Sequence, residues 1–164
     1  MQELLSLAVR LAEQAAEIIR EVRAAGFVVA AKADESPVTV ADMRAEALIV
    51  AGLRAAAPDI PVIAEEEVAA GRITAPAARY WLVDPLDGTK AFVRGEAHFT
   101  VNIGLIEDGV PVAGAVHAPA TGETWFTADG GALKRQIGET GGAPVHVRPR
   151  GRTVLALTSH TLKP

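Results

Sequence analysis

Two aspartates follow a run of strand-forming residues in the stretch WLVDPLDGTK, which covers residues 81–90. Asp84 and Asp87 lie three residues apart, and Gly88 and Thr89 come directly after them. A carboxylate at the end of a buried strand loses hydration, and a second carboxylate beside it adds like-charge repulsion. A bound cation or a dense set of hydrogen bonds would offset both effects. The spacing therefore predicts a cation site, provided that other residues complete it.

Three further carboxylates come from Glu65, Glu66 and Glu67, which follow the strand-like run IPVIA. If that strand is the neighbour of the strand that ends at Asp84, the two acidic groups meet. The sequence has no cysteine and no pair of histidines at metal-ligand spacing. Oxygen ligands of this kind suit Mg²⁺, Mn²⁺ or Ca²⁺ rather than zinc.

The turn after the second strand offers more ligands and an anion site. Asp84 can bridge two cations, and the carbonyl of Leu86 can bind one of them because the turn aims it inward. Asp87 can then bind the other cation. Gly88 lets the backbone approach a phosphate closely, and the amides of Gly88 and Thr89 open a short predicted helix whose N-terminus favours an anion. The turn is thus expected to hold both metal ions and a phosphate.

Each of these features also has a simpler structural interpretation. Three glutamates before a polar loop usually form a solvated strand end, which is the interpretation we favour for them taken alone. Asp84 and Asp87 can each be a turn residue, and Asp42 can be half of a helix capping box. The histidines are isolated in sequence and are expected to be strand or surface residues rather than ligands: His98, His117, His146 and His160. The conjunction of the acidic groups is what favours a functional site.

The helices that position these residues follow from the apolar pattern. Apolar residues spaced alternately by four and three predict an amphipathic helix over residues 2–25, which ends at Gly26. A second helix is predicted over about residues 40–57. Thr39 and Asp42 stand at the two positions of a capping box at its start.

Strands and turns are predicted for the rest of the chain, where most of the glycines and prolines lie. IPVIA and YWLVD are short strands, and residues 99–135 are an antiparallel meander with turns at Asp108-Gly109 and Thr121-Gly122. Residues 152–160 are one more predicted strand. The expected fold is α/β layered (α+β), with two N-terminal helices packed on a largely antiparallel sheet.

Composition and charge limit the class of protein. With 164 residues, 49% hydrophobic and 22% charged, the chain is long enough for one globular domain. A net charge of -4 gives no basic face for a nucleic acid polymer. The absence of cysteine fits a reducing compartment, and no signal peptide or transmembrane segment is expected. The expected location is the cytoplasm, with peripheral association with the inner membrane left open.

The motifs together resemble a known family. VDPLDGT closely resembles the signature of the Mg²⁺-dependent, lithium-sensitive phosphatases that include inositol monophosphatase. SPVTVAD and PVIAEEE stand where that family has its upstream helix motif and its metal-binding glutamate. The resemblance runs over essentially the whole chain, to LTSH, and is strongest to the 3'(2'),5'-bisphosphate nucleotidase branch. It implies the N-terminal part of the inositol monophosphatase-like sugar phosphatase fold.

The resemblance also implies a role for individual residues. Glu65, Asp84, the Leu86 carbonyl and Asp87 would ligate two or three Mg²⁺ ions. Thr89, hydrogen-bonded to Asp42, would work with Glu65 to orient and deprotonate an attacking water, and Gly88 and Thr89 would hold the substrate phosphate. The implied reaction is in-line hydrolysis of a phosphate monoester, with 3'-phosphoadenosine 5'-phosphate as the expected small phosphorylated substrate.

Some features depart from the family pattern. Ala91 follows Lys90 where close relatives tend to have glutamate, and the family's second signature, a Trp-Asp pair that supplies another metal ligand, is absent. We therefore expect residues 1–150 to be a metal-binding phosphatase domain and residues 151–164 to be the start of a truncated second domain. Alone, such a chain should be a poor or inactive phosphatase with weak Mg²⁺ affinity. It should be either a soluble homo-oligomer or an aggregation-prone domain.

Several alternative functions stay open at this point. Inositol monophosphatase and histidinol-phosphate phosphatase have motifs that overlap with those of the nucleotidases. The chain could instead be a non-catalytic remnant that binds Mg²⁺ or a partner, which predicts stabilisation by metal without turnover. A purely structural domain predicts neither.

Overall fold

A computed structural model describes residues 1–31, 37–128 and 130–149 of the chain. The elements are, in chain order, α1 Gln2–Ala25, β1 Val29–Ala31, β2 Pro37–Thr39, α2 Val40–Ala56, β3 Val62–Ala64, α3 Glu65–Ala69, β4 Arg79–Asp87, α4 Thr89–Val93, β5 Thr100–Glu107, β6 Val110–Ala118, β7 Glu123–Ala128, β8 Gly131–Gln136 and β9 Ala143–Val145.

Both long helices form where the sequence predicts them. The apolar stripe of α1 is buried, and the helix ends at Gly26, whose φ of 78° ends the helical backbone. At the start of α2, the hydroxyl of Thr39 accepts a backbone N–H while the Asp42 carboxylate accepts the backbone N–H of Thr39. The predicted capping box is therefore confirmed.

The strands form a mixed sheet of seven and a separate pair. The larger sheet has the order β3-β4-β5-β6-β7-β8-β9, and β1 pairs with β2 in an antiparallel ribbon. Every neighbouring pair in the larger sheet is antiparallel except β3 and β4, which run parallel. The meander from β5 to β8 turns at Asp108-Gly109 and at Thr121-Gly122, as predicted.

The core lies between the two long helices and one face of the seven-stranded sheet. α1 packs against α2 and against β6, and α2 packs against β4. The largest buried side chains come from all of these elements, among them Ile19, Ile49, Leu53, Trp81, Ile103 and Leu105. The predicted layered fold, with two helices on a largely antiparallel sheet, is confirmed. Within the described residues, none of the helices has the length and apolar character needed to cross a bilayer.

Two short elements differ from the sequence prediction. Glu65, Glu66 and Glu67 do not simply end a strand, because they form the first turn of α3. No strand is predicted between residues 135 and 152, yet Ala143–Val145 form β9, which pairs with β8. The strand predicted over residues 152–160 and the domain boundary predicted at residue 150 lie outside the described residues.

Candidate metal and phosphate site

The two acidic groups meet because their strands are parallel neighbours. Ala64 at the end of β3 is paired with Val83 of β4. The residue that follows each of them is acidic, so Glu65 and Asp84 lie at the same end of the sheet. Glu65 is exposed at the start of α3, whereas Asp84 is half-buried in β4.

Asp84 is the electrostatic centre of the acidic corner, the name used here for Glu65, Asp84 and Asp87. Burial raises the pKa of its carboxyl group to about 7, and the charges of Glu65 and Asp87 act in the same direction. A hydrogen bond between the side chains of Glu65 and Asp84 also raises this pKa. The backbone N–H of Leu86 donates to Oδ1 of Asp84 at 3.1 Å and opposes these effects in part. Asp84 thus interacts with the carboxylates of both Glu65 and Asp87.

A bulge in β4 sets the positions of the residues that follow Asp84. Asp84 is paired with Asn102 and Asp87 with Thr100, so β4 has one residue more than β5 between these two pairs. Pro85 lies in the bulge, where it has no N–H to contribute to the ladder. The bulge separates Asp84 from Asp87, whose Oδ2 lies 3.5 Å from the side-chain nitrogen of Asn102.

Thr89 connects this corner to α2. Its hydroxyl lies 3.1 Å from Oδ1 of Asp42 and 3.0 Å from the carbonyl oxygen of Leu86. The other oxygen of Asp42 accepts two bonds from Thr39, from the backbone N–H and from the hydroxyl, both at 2.7 Å. Asp42 is buried, and burial raises the pKa of its carboxyl group while the bonds from Thr39 and Thr89 lower it. One carboxylate therefore both caps a helix and holds the Thr89 hydroxyl.

Gly88 has a backbone conformation that other residues rarely adopt. Its φ of 89° and ψ of 31° are left-handed, and its carbonyl oxygen accepts the N–H groups of Ala91 and Phe92 in the first turn of α4. A β-carbon at this position would lie 2.7 Å from the carbonyl oxygen of His98 and 3.2 Å from Cα of Phe99. Gly88 thus lets the turn lie against the backbone before β5.

Glu46 and Arg54 of α2 contact the acidic turn, residues 65–67 at the start of α3, and no sequence motif marks either of them as a site residue. The backbone N–H of Glu66 donates to Oε2 of Glu46 at 2.6 Å. The guanidinium of Arg54 donates to both carboxylate oxygens of Glu67, at 3.1 and 2.8 Å. The glutamates therefore begin α3 rather than end a strand: Glu65 is exposed to solvent as expected, whereas Glu66 and Glu67 contact α2. The available signal was the spacing of Asp42, Glu46 and Arg54, which places all three near one side of α2.

The donors suit a hard divalent cation, although the side chains are not gathered around one point. In residues 1–31, 37–128 and 130–149, no three His, Cys, Asp or Glu side chains form a group that could hold a metal ion as they stand. Asp84 nevertheless interacts with Glu65 on one side and Asp87 on the other. Burial, together with the charges of Glu65 and Asp87, raises the pKa of Asp84, and a bound divalent cation with oxygen ligands would oppose these effects.

The histidines expected to be strand or surface residues differ from one another in burial. His117 lies on β6 and is completely buried, whereas His98 and His146 are exposed. His160 lies outside the described residues.

The fold and the corner define a layered α/β domain with an acidic site at the end of a parallel strand pair. Residues 1–159 match the inositol monophosphatase family, so the chain belongs to that family. It is 47% identical over 131 residues to the 3'(2'),5'-bisphosphate nucleotidase CysQ of Salmonella typhimurium, which covers 79% of this chain and 53% of that protein. It is 41% identical over 127 residues to a histidinol-phosphatase of Mycobacterium tuberculosis, which covers 77% of this chain and 48% of that protein.

Solved structures of the family have the same fold over most of this chain. An inositol monophosphatase from Zymomonas mobilis matches with a TM-score of 0.72 and 35% identity, over 92% of this chain and 55% of that chain. CysQ from Bacteroides thetaiotaomicron matches with a TM-score of 0.65 and 32% identity, over 92% of this chain and 54% of that chain. The chain thus spans about half the length of the relatives it matches.

Proposed function

We propose that the chain provides the metal-binding and water-activating half of an Mg²⁺-dependent phosphatase that hydrolyses a phosphate monoester. The observation that carries this proposal is the hydrogen bond between Thr89 and the buried Asp42, placed beside the coupled carboxylates of Glu65, Asp84 and Asp87. A hydroxyl held by a buried carboxylate next to a cation site is the arrangement that activation of a water requires.

Four residues would hold two or three Mg²⁺ ions. Glu65, Asp84 and Asp87 would contribute carboxylate oxygens, and Leu86 would contribute its carbonyl oxygen. Mg²⁺ bound there would lower the pKa of a coordinated water and offset the charge of the phosphate. Asp84 would be shared between ions, and its interaction with both of the other carboxylates supports this role.

Thr89 and Asp42 would orient the attacking water. Since a hydroxyl has one proton, Thr89 donates to either Asp42 or Leu86 at a given moment. When it donates to Asp42, the lone pairs of its oxygen can accept a hydrogen bond from the water. Glu65, which is exposed at the start of α3, would accept the proton of that water.

The phosphate of the substrate would lie against the turn that starts α4. The left-handed conformation of Gly88 turns the backbone at this point, and the amides of Gly88 and Thr89 precede the helical hydrogen bonds of α4. Amides without helical partners are suited to phosphate oxygens.

The proposed substrate is a 3'(2'),5'-bisphosphate nucleotide such as 3'-phosphoadenosine 5'-phosphate. Support comes from the named activity of the Salmonella relative. A second candidate is histidinol phosphate, which the named activity of the Mycobacterium relative supports at lower identity. An inositol monophosphate is a third, since the Zymomonas structure is an inositol monophosphatase.

Phosphate release tests both the reaction and the substrate. The 164-residue chain would be assayed with each of the three substrates and Mg²⁺, alone and fused to the unmatched second half of the Salmonella nucleotidase. We expect low turnover from the chain alone and Mg²⁺-dependent turnover from the fusion, with preference for the bisphosphate nucleotide. A folded fusion whose turnover equals that of its Asp84→Asn variant would contradict the proposal. Stabilisation of the chain by Mg²⁺ without turnover by the fusion would instead favour a metal-binding protein without catalysis.

A further inference from the structure

Glu46 is a buried carboxylate that contacts the backbone of the acidic turn. Its side chain projects from α2, and the residue is only 4% exposed. Oε2 accepts the backbone N–H of Glu66 at 2.6 Å. Burial raises the pKa of the Glu46 carboxyl group, and the backbone N–H groups of Glu66 and Glu67 lower it. The bond is made to the main chain, so it fixes the path of the turn itself rather than the side chain of Glu66.

The first turn of α3 depends on this contact because its own sequence offers no cap. The residue at the N-cap position is Ala64, which has no side-chain acceptor, and the first turn has no side-chain cap from that position. The first N–H groups of a helix have no partner within the helix, and a side-chain oxygen normally satisfies one of them. Glu46 supplies that oxygen from a neighbouring helix.

The contact bears directly on Glu65. Glu65 is the first residue of α3 and directly precedes Glu66, whose amide Glu46 accepts. On the other side, Ala64 is fixed in the parallel ladder opposite Val83 of β4. Glu65 thus lies between β3, which is fixed in the sheet, and the rest of the first turn of α3, which Glu46 holds.

The same helix holds the other proposed catalytic group. Asp42, one turn before Glu46 on α2, accepts the hydroxyl of Thr89 at 3.1 Å. Arg54, two turns after Glu46, binds both oxygens of the Glu67 carboxylate. These contacts make α2 the common support of the β4 turn and of α3.

We propose that Glu46 is a positioning residue that holds the Glu65 carboxylate at the metal site by fixing the first turn of α3. The inference rests on the proposed function, because Glu65 matters only if the corner binds metal. Glu46 itself would touch neither the metal nor the substrate. Outer partners that orient metal ligands typically change metal affinity by roughly 10–100-fold when they are removed.

The test compares three variants of the 164-residue chain. Glu46→Ala removes both acceptors, and Glu46→Gln keeps the shape and one acceptor oxygen. Glu13→Gln is the matched control. Glu13 is another partly buried carboxylate, but it lies on α1 and binds Arg135 of β8. For each protein, Mn²⁺ affinity is measured by electron paramagnetic resonance, amide exchange at Glu66 and Glu67 by NMR, and the melting temperature without metal.

We expect Glu46→Ala to weaken Mn²⁺ binding by about tenfold or more and to speed amide exchange at both positions. Glu46→Gln should lie between Glu46→Ala and the wild type in both measurements. Glu13→Gln should lower the melting temperature but leave Mn²⁺ affinity and both exchange rates unchanged.

The outcomes separate this inference from the proposed function. Unchanged Mn²⁺ affinity in Glu46→Gln and Glu46→Ala would overturn the positioning role, as would equal weakening in Glu13→Gln. If the wild-type chain binds no Mn²⁺, the proposed metal site fails. The positioning role for a metal ligand then fails with it, whereas exchange at Glu66 and Glu67 still shows whether Glu46 holds α3.

Discussion

At the scale of single residues, Asp84 and Thr89 lie close in sequence but have different proposed tasks. Asp84 interacts with two other carboxylates, whereas the Thr89 hydroxyl contacts Asp42 and the Leu86 carbonyl. In the fusion described above, Asp84→Asn should abolish metal-dependent turnover. Thr89→Ala should leave Mn²⁺ affinity within about twofold and lower kcat roughly 10²- to 10⁴-fold, since it removes an orienting group rather than a ligand. Thr89→Ser keeps the hydroxyl and serves as the control. Normal turnover by Thr89→Ala would show that its proposed role is wrong.

Gly88 gives a second prediction at this scale. An alanine there would need a left-handed backbone and would place its β-carbon 2.7 Å from the His98 carbonyl oxygen. Gly109 is a matched control, because its φ is 79° but nothing lies within 4 Å of a β-carbon there. We expect Gly88→Ala to lower the free energy of unfolding by about 2–4 kcal/mol and Gly109→Ala by about 1 kcal/mol. Urea unfolding of the two variants measures the difference, and equal losses would mean that the close approach at Gly88 is unimportant.

At the scale of elements, α1 is joined to the sheet by a buried polar network. Arg135 of β8 donates to both oxygens of Glu13 on α1, at 2.8 and 2.9 Å. The Thr124 hydroxyl also donates to Glu13, so the ring of His117 must donate to Thr124 from Nδ1, at 2.8 Å. Burial lowers the pKa of His117 to about 4, and the charges of Arg20 and Arg135 act in the same direction while Glu13 opposes them.

This network predicts a dependence of stability on pH. An unfolded histidine has a pKa near 6.5, so below that pH the unfolded chain binds a proton that native His117 does not. His117 should therefore have no effect on the free energy of unfolding above about pH 6.5. As the pH drops toward 4, the free energy of unfolding should fall by about 3 kcal/mol in total. His117→Asn keeps a donor toward Thr124 but does not titrate. Urea unfolding between pH 7 and pH 4.5 should show a smaller loss of unfolding free energy for this variant than for the wild type. Equal losses in the two proteins would show that His117 does not cause the pH dependence.

How far the elements could be predicted depends on how local their causes are. The long helices and the β5–β8 meander follow from apolar spacing and from glycine turns, which are properties of neighbouring residues. α3 could not be predicted, because its cap comes from Glu46, 19 residues before Glu65 in the sequence. β9 contains Pro144 and exists only through its pairing with β8. The acidic residues of the site could be identified from the sequence. The parallel pairing of β3 with β4, which puts Glu65 and Asp84 at the same end of the sheet, could not, because it joins residues about 20 positions apart in the sequence.

At the scale of the whole molecule, one face of the sheet carries α1 and α2 and the other carries an apolar groove. Side chains alternate along a strand, so Leu82 lies on the face opposite to the buried Trp81 and Val83. Gly104 pairs with Leu82 on one side and with Gly114 on the other, and these glycines leave the groove shallow. Leu82 is 48% exposed and Val116 is 39% exposed among the described residues. Contiguous exposed apolar surface of this kind favours association.

We therefore predict that the 164-residue chain self-associates through this groove, as a homo-oligomer. Gel filtration with light scattering across a hundredfold range of concentration should show a mass that rises with concentration. Leu82→Lys combined with Val116→Lys places two charges in the groove, and desolvating them on association is unfavourable, so the double variant should stay monomeric. Ile73→Lys is the control, because Ile73 is 77% exposed but lies in the loop before β4 rather than on the sheet. If the wild-type chain stays monomeric at every concentration, the groove is not a contact surface. The same conclusion follows if Ile73→Lys reduces association as strongly as the double variant does.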